Sequence, residues 1–249
     1  MPATQWFLQT MNSIDRLKLL AGFPIEMSDG TCFIYPATLR DIAALGTEQY
    51  FKYLNVLTLS EEDIKKFTLE ENNVFIFLTL TCKNSEVFKR EFISAIKYFT
   101  KEEVTFLEEL DSFVIGDFEE SRILGEDNFF EFQKILSTQN GMNTNEVRYT
   151  GEDEAAKMIK AKLAKAREKV DKSKSFSEEK QPDLVDLISS LCSRDSLNIC
   201  EVLDTPYYSF NIQFKRMRMY EEYETGLQSI MAGADPKKIK LKDWIRSIQ

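Results

Sequence analysis

The feature that most constrains the fold is a charged stretch, residues 151–181, in which few side chains could enter a hydrophobic core. Most of it is rich in Lys, Ala and Glu, with acidic residues first and basic residues later, an order that the helix dipole favours. Its end, from Lys172 onward, has the composition of a flexible, solvated linker. A chain of 249 residues interrupted in this way predicts an α+β N-terminal domain over 1–150 and a helical C-terminal domain over 182–249, joined by a charged helix and linker.

Turn and capping signals mark short elements in the N-terminal unit. Asp29-Gly30 lies between two short apolar segments, and this dipeptide predicts a β-hairpin because both positions tolerate positive φ. Thr38-Leu-Arg-Asp41 has the form of a capping box, so a helix is expected from there to Gly46. Ser60-Glu-Glu-Asp63 repeats the capping signature. A helix between these two signals carries apolar side chains at Tyr50, Tyr53, Leu54 and Leu57.

Longer apolar segments supply the core of the same unit. The run from Val74 to Cys82 is apolar enough to be buried, and we interpret it as a helix, although its periodicity also fits a strand. Two β segments, 104–107 and 113–115, flank a charged turn and predict a second hairpin. Two further helices are predicted from apolar stripes at Phe88, Phe92, Ile96 and Phe99 and at Phe129, Phe132, Ile135 and Leu136.

The C-terminal unit is predicted to be helical throughout. Two short amphipathic helices follow Pro182, and Pro206 is well placed in the first turn of a long helix that runs to about Met231 and stops at Gly233. One face of this long helix carries Phe210, Phe214, Met217, Leu227 and Met231. A last short helix is expected to display Leu241, Trp244, Ile245 and Ile248. The fold class is therefore α+β, predominantly helical, with small β-hairpins in the N-terminal helical unit and a C-terminal helical unit.

The sequence contains few of the residues and motifs that catalysis commonly requires. It contains no histidine, the commonest general base and the commonest nitrogen ligand for metals. Carboxylate groups at 117–120 and 126–127 lack supporting motifs, and GxGxxG, GxxxxGK[ST] and GxSxG are all missing. We therefore predict that the protein is not an enzyme and holds no cofactor or metal ion. A carboxylate, lysine or Mg²⁺ mechanism, which needs no imidazole, is the open alternative.

Hydropathy and cysteine usage indicate the compartment. No run of about 18 or more apolar residues occurs, and polar residues interrupt the first 20, so neither a membrane-spanning helix nor a signal peptide fits. The four cysteines, at 32, 82, 192 and 200, are scattered among apolar neighbours and lack a CxxC pair. That pattern suits reduced, buried thiols better than a disulfide framework. We expect a cytoplasmic protein without a membrane partner.

Charge opposes nucleic-acid binding by the chain as a whole. The net charge of −9 disfavours contact with a phosphate backbone, because such binding depends on Lys and Arg releasing counterions. The basic helix 157–174 could still follow phosphates, and a nucleic-acid-binding regulator stays an alternative. Aromatic residues, which would favour stacking with single strands, are missing from that helix.

The long helix after Pro206 carries more apolar and tyrosine side chains than one core-facing stripe requires. Tyr, Met and Arg are favoured in the cores of protein interfaces, so some of these side chains are expected to meet another molecule. The alternative is that neighbouring helices of the same unit cover them. The residues predicted to bind a partner are Tyr207, Tyr208, Met219, Tyr220, Tyr223 and Trp244.

Two segments carry a family resemblance. They are Ile34-Tyr-Pro-Ala-Thr-Leu-Arg-Asp-Ile-Ala-Ala-Leu-Gly46, with Tyr50 and Tyr53-Leu54 after it, and Ala232-Gly-Ala-Asp-Pro-Lys-Lys-Ile-Lys-Leu-Lys-Asp-Trp244. On these residues the chain resembles tail proteins of Gram-positive phages, of the tail-assembly-chaperone type. The resemblance extends from about residue 23 to the C-terminus and rests on overall pattern, without a catalytic signature.

This resemblance implies a non-enzymatic assembly protein of the host cell cytoplasm. It would bind the long helical tape-measure protein of the phage tail and help to recruit tail-tube proteins around it. Helical binding surfaces suit that task. They would also allow copies of the protein to bind one another. A structural virion or neck component, which remains in the finished particle, is the other alternative.

Overall fold

Helices form most of the part of the chain that the structure describes, and two small antiparallel sheets accompany them, so the predicted predominantly helical α+β class is confirmed. The computed structural model describes residues 15–64, 73–117, 122–142, 182–235, 239 and 241–246. The helices of these residues are α1 (Arg16–Ala21), α2 (Leu39–Leu45), α3 (Thr47–Leu57), α4 (Glu61–Ile64), α5 (Val74–Asn84), α6 (Glu86–Thr100), α7 (Glu126–Gln139), α8 (Leu184–Asp195), α9 (Ile199–Leu203) and α10 (Tyr207–Met231).

Side-chain caps explain where several helices begin. Thr38 and Asp41 form the predicted capping box at α2, which ends at Gly46 as expected. Asn73 accepts hydrogen bonds from the first turn of α5, and Ser85 caps α6. The apolar run from residue 74 is thus a helix, as interpreted, because a capping residue precedes it and satisfies N–H groups that a strand would leave to a neighbour.

The first sheet is the predicted hairpin of β1 (Ile25–Glu26) and β2 (Phe33–Ile34), with Ile25 opposite Ile34. Gly30 has a φ of +74°, whereas Asp29 keeps a negative φ. The connection is therefore a six-residue loop, 27–32, in which Gly30 supplies the positive φ angle.

The second sheet has three strands in the order β3-β4-β5. β3 (Val104–Leu107) and β4 (Ser112–Ile115) form the second predicted hairpin, with Thr105 opposite Val114. β5 (Ile123–Leu124) was not expected, since two residues are too short to give an alternating pattern. Its pairing with β4 satisfies backbone groups that would otherwise lie at an open edge.

Aromatic side chains fill the centre of the N-terminal unit. The predicted stripe of α6 points inward, with Phe92, Ile96 and Phe99 at most 1% exposed. The ring of Phe92 lies 5.1 Å from that of Phe113 on β4 and 6.4 Å from that of Phe129 on α7. Offset and tilted ring pairs of this kind add to the stabilisation that burial provides. The core thus joins α6, α7 and the three-stranded sheet.

Helices α8 to α10 pack on this same core. Ile188, Leu191, Val202 and Phe210 belong to one continuous apolar cluster with the residues named above. Thr38, at the start of α2, forms an isolated antiparallel bridge with Pro206, at the start of α10. The boundary predicted within 151–181 and the charged helix there lie outside the described residues, so both stay predictions.

Two expectations about the C-terminal unit are wrong. Residues 241–243 have no regular secondary structure and residues 244–246 form a turn and a bend, so the short helix expected here is not formed by residues 241–246. Cys200 is exposed, because it lies on the outer side of the five-residue helix α9, while Cys32 and Cys82 are buried as predicted and Cys192 is half-buried. Among the described residues, no helix is long and apolar enough to cross a membrane.

Candidate partner-binding surface

Helix α10 carries most of the residues predicted to bind a partner. It has 25 residues and is therefore about 38 Å long. Its buried residues, Tyr208, Ser209 and Phe210, all lie in its first turn. The remaining part of the helix extends along the protein with every described side chain at least partly exposed.

The first turn of α10 is part of the core. Tyr208 is 8% exposed, and the Tyr207 ring packs edge-on against Tyr50 and Phe51 at centroid distances of 6.1 Å. Burial raises the pKa of Tyr207. The structure therefore gives these two tyrosines a packing role, and the partner-binding role predicted for them stays untested.

The middle of α10 contacts α8 through charged groups. Arg194 on α8 lies 3.5 Å from Glu221 and 2.9 Å from Glu224, and its guanidinium lies 5.9 Å from the centre of the Tyr220 ring. The Tyr220 hydroxyl donates a hydrogen bond to Glu224, 2.8 Å away, which raises the pKa of Tyr220. These groups are substantially exposed, so they orient Tyr220 more than they stabilise the fold.

Tyr220 and Trp244 are the two predicted residues that the structure brings together. Their rings meet edge to face, with centroids 5.3 Å apart and planes at 80°. Arg216, one turn before Tyr220, donates hydrogen bonds to the carbonyl oxygens of Trp244 and Arg246. Met219 and Tyr223 are half-buried beside this contact along the helix. The C-terminal segment thus lies on the surface that we expected a partner to use.

Gly226 is a residue of this surface that the sequence analysis missed. A Cβ at Gly226 would lie 2.8 Å from Leu241 Cδ1 and 3.4 Å from Ile239 Cγ2, so the missing side chain makes room for the C-terminal segment. Glycine in the interior of a helix costs about 1 kcal/mol relative to alanine. A glycine inside a predicted helix is therefore a signal in the sequence that another part of the protein packs closely against the helix backbone.

The apolar face predicted on α10 is covered only in part. Phe210 is buried and Phe214 and Met217 pack against the core, as expected. Leu227 is 39% exposed and Met231 80% exposed, because α10 passes the edge of the core before it reaches them. The last three turns of the helix therefore present uncovered apolar side chains.

The other candidate sites from the sequence lie only partly within the described residues. Glu126 accepts a hydrogen bond from the Asn73 amide at 2.6 Å, and Asp117 is exposed. Within the described ranges, no three His, Cys, Asp or Glu side chains are placed to hold a metal ion. The carboxylates at 119–120 and the basic helix 157–174 lie outside the described residues.

Comparison with known proteins finds a similarity to a family model. Residues 172–249 match the model of a family described as the YomV second domain, a family associated with Bacillus phage SPBc2. No curated protein and no solved structure matches the chain. The matched region contains α8, α9, α10 and the C-terminal segment, so the whole candidate surface lies within it. This similarity supports a phage protein.

Proposed function

We propose that this protein is a non-enzymatic phage assembly protein, a tail assembly chaperone that binds the tape-measure protein through the outer half of α10. The observation that carries the proposal is the apolar surface of that half-helix, which the described residues leave partly uncovered. Unlike scattered apolar residues on a surface, these lie on one helix in the region that is similar to a phage family.

The spacing of the partly exposed side chains suits a helical partner. Tyr220, Tyr223, Leu227 and Met231 follow one another at intervals of three or four residues, which places them along one side of the helix. A groove or stripe of this kind receives the apolar face of an amphipathic helix. Met231, at 80% exposure, supplies a flexible side chain that adapts to different contacts.

A tape-measure protein offers such a partner because it is long and helical. Repeated apolar stripes along it would allow many copies of a small protein to bind side by side. Each copy would cover apolar surface before tail-tube proteins replace or surround it. The resemblance to tail-assembly chaperones names this partner, and the surface of α10 supplies the kind of contact that it requires.

Copurification of the full chain with the tape-measure protein of the same phage tests the proposal. Leu227→Ala and Met231→Ala should each weaken binding by about tenfold to a hundredfold, since burial of such a side chain contributes roughly 1.5–3 kcal/mol. Both side chains are exposed, so the free energy of unfolding of the free protein should change little. Met219→Ala and Tyr220→Ala are predicted to act in the same direction.

Two control variants separate binding from folding. Glu222→Ala removes an exposed charge from the same helix and should leave binding unchanged. Phe210→Ala, in the buried first turn, should lower the free energy of unfolding by about 3–5 kcal/mol. The proposal is wrong if the tape-measure protein binds Leu227→Ala and Met231→Ala as tightly as it binds the original chain. It is also wrong if the tape-measure protein binds neither the original chain nor the variants.

A further inference from the structure

The C-terminal segment folds back along the helix that the proposed function assigns to a partner. Residues 239 and 241–246, here called the strap, run antiparallel to α10, since Leu241 lies at Gly226, Trp244 at Tyr220, and the Trp244 and Arg246 carbonyls at Arg216.

Three features of α10 fit the strap. Gly226 has no side chain, which leaves space for Leu241, and the Tyr220 ring packs on the Trp244 indole. The Arg216 guanidinium donates hydrogen bonds to two carbonyl oxygens of the strap. These three residues of α10, here called the Arg216–Tyr220–Gly226 notch, are the ones that contact the strap. The strap therefore occupies a built position.

The strap is nevertheless only partly buried against α10. Leu241 is 38% exposed and Ile245 is 66% exposed. Among the described residues, no residue of the strap belongs to a β-sheet. A segment with few buried contacts opens at a small fraction of the free energy needed to unfold the core. The turn of the strap contacts α10 through one aromatic pair and one guanidinium, at Tyr220 and Arg216, which lie beyond the buried first turn of the helix.

We propose that the strap is an intramolecular cover: it occupies the Arg216–Tyr220–Gly226 notch in the free protein and is displaced when an apolar partner helix binds α10. The inference rests on the proposed function, because that function supplies the competing partner. Tyr220 and Trp244 contact each other in the free protein, so a partner that packs on Tyr220 must first separate them. Release then adds Trp244 to the side chains available for binding.

The first experiment measures the cover in the full chain without a partner. Trp6 and Trp244 are the two tryptophans of the sequence, so a Trp6→Phe background makes Trp244 the reporter. Gly226→Ala should shift Trp244 emission to the red and speed amide hydrogen exchange of the strap by about tenfold, since the new methyl group would lie 2.8 Å from Leu241 Cδ1 and 3.4 Å from Ile239 Cγ2 and both strap side chains would have to move. Alanine also favours helix more than glycine, so α10 itself is not weakened.

Two further variants fix the interpretation. Arg216→Met, which removes the guanidinium but keeps an unbranched side chain, should release the strap in the same way, and Glu222→Ala should not. If the strap of the original chain already exchanges as fast as an unstructured peptide, the proposal is wrong. It is equally wrong if strap and core amides lose protection together in Gly226→Ala, because the strap would then be part of the core.

The second experiment adds the tape-measure protein. Binding should speed exchange of the strap amides and shift Trp244 emission, and Gly226→Ala should bind about tenfold more tightly because its cover is already open. Unchanged strap protection and unchanged affinity, with the partner bound, would contradict displacement. If no variant binds the partner, the proposed function and the competition that depends on it both fail, while the first experiment still reports whether the strap closes.

Discussion

Gly22, which ends α1, lies directly against the ring of Pro206, which precedes α10. A Cβ added to Gly22 would be 2.6 Å from Pro206 Cγ, closer than two carbon atoms can pack. Next to this contact, Ser209 donates a hydrogen bond to the carbonyl of Leu20 at 2.6 Å. The direction in which α10 leaves the core therefore depends on a glycine near the other end of the chain.

Substitution of Gly22 should cost more than substitution of a glycine with the same backbone angle. Gly22 and Gly30 have φ angles of +75° and +74°, but no atom lies within 4 Å of a Cβ built at Gly30. Gly30→Ala should lower the free energy of unfolding by about 1 kcal/mol through strain alone. Gly22→Ala should lower it by about 2–4 kcal/mol because overlap with Pro206 adds to the strain. Urea unfolding of both variants measures the difference, and equal losses would contradict the contact.

The buried hydroxyl of Tyr50 should contribute to stability, whereas that of Tyr98 should not. Tyr50 donates a hydrogen bond to the side-chain oxygen of Asn140, and both residues are buried. The Tyr98 hydroxyl is also buried but has no hydrogen-bond partner among the described residues. Tyr50→Phe should therefore lower the free energy of unfolding by about 1–3 kcal/mol, since Asn140 loses its donor. Tyr98→Phe should be neutral or slightly stabilising, and a comparable loss in both variants would argue against this difference.

The ion pair between α2 and α9 should make a small, pH-dependent contribution to stability. Arg40 Nε lies 2.5 Å from Asp204 Oδ1, and its hydrogen bond lowers the pKa of Asp204 below the ordinary value of 3.8. A carboxyl group whose pKa is lower in the folded state stabilises the protein above its unfolded pKa and loses this effect as the pH falls through its folded pKa. Both side chains are more than half exposed, so salt screens the pair.

Unfolding at a series of pH values tests this sign. The stability difference between the original chain and Asp204→Asn should stay constant from about pH 7 to about pH 5 and shrink as the pH falls below the ordinary carboxyl pKa. Glu222→Gln, an exposed change on α10, serves as the control. A difference that grows toward low pH would contradict the assignment.

Thiol labelling should follow the burial of the four cysteines. Burial raises the pKa of Cys32 and Cys82 to about 12, so neither forms much thiolate in the folded protein. Cys200 is exposed and should react first with a disulfide reagent near neutral pH. Cys200→Ser should remove the fast phase, and Cys192→Ser should retain it. Persistence of the fast phase in Cys200→Ser would show that another thiol is accessible.

Local interactions explain which elements the sequence predicted correctly. The capping box of Thr38 and Asp41 and the stripe ending at Phe99 involve residues a few positions apart, so their geometry is present in the sequence spacing. β5 escaped prediction because its two residues form a strand only when β4 provides the partner. Cys200 was misplaced because apolar neighbours in sequence do not reveal which side of α9 faces solvent.

The features of the candidate surface also fall into two groups, those that are local in the sequence and those that depend on tertiary contacts. By itself, the sequence determined that a long helix follows Pro206 and that it carries more aromatic and methionine side chains than one stripe requires, since helical period and composition are local properties. Tertiary structure alone decided that Tyr207 and Tyr208 pack in or beside the core, that Trp244 lies on Tyr220, and that Gly226 leaves room for Leu241. Each of these contacts depends on how distant segments lie against one another, and side-chain burial is fixed by that arrangement rather than by position along the helix.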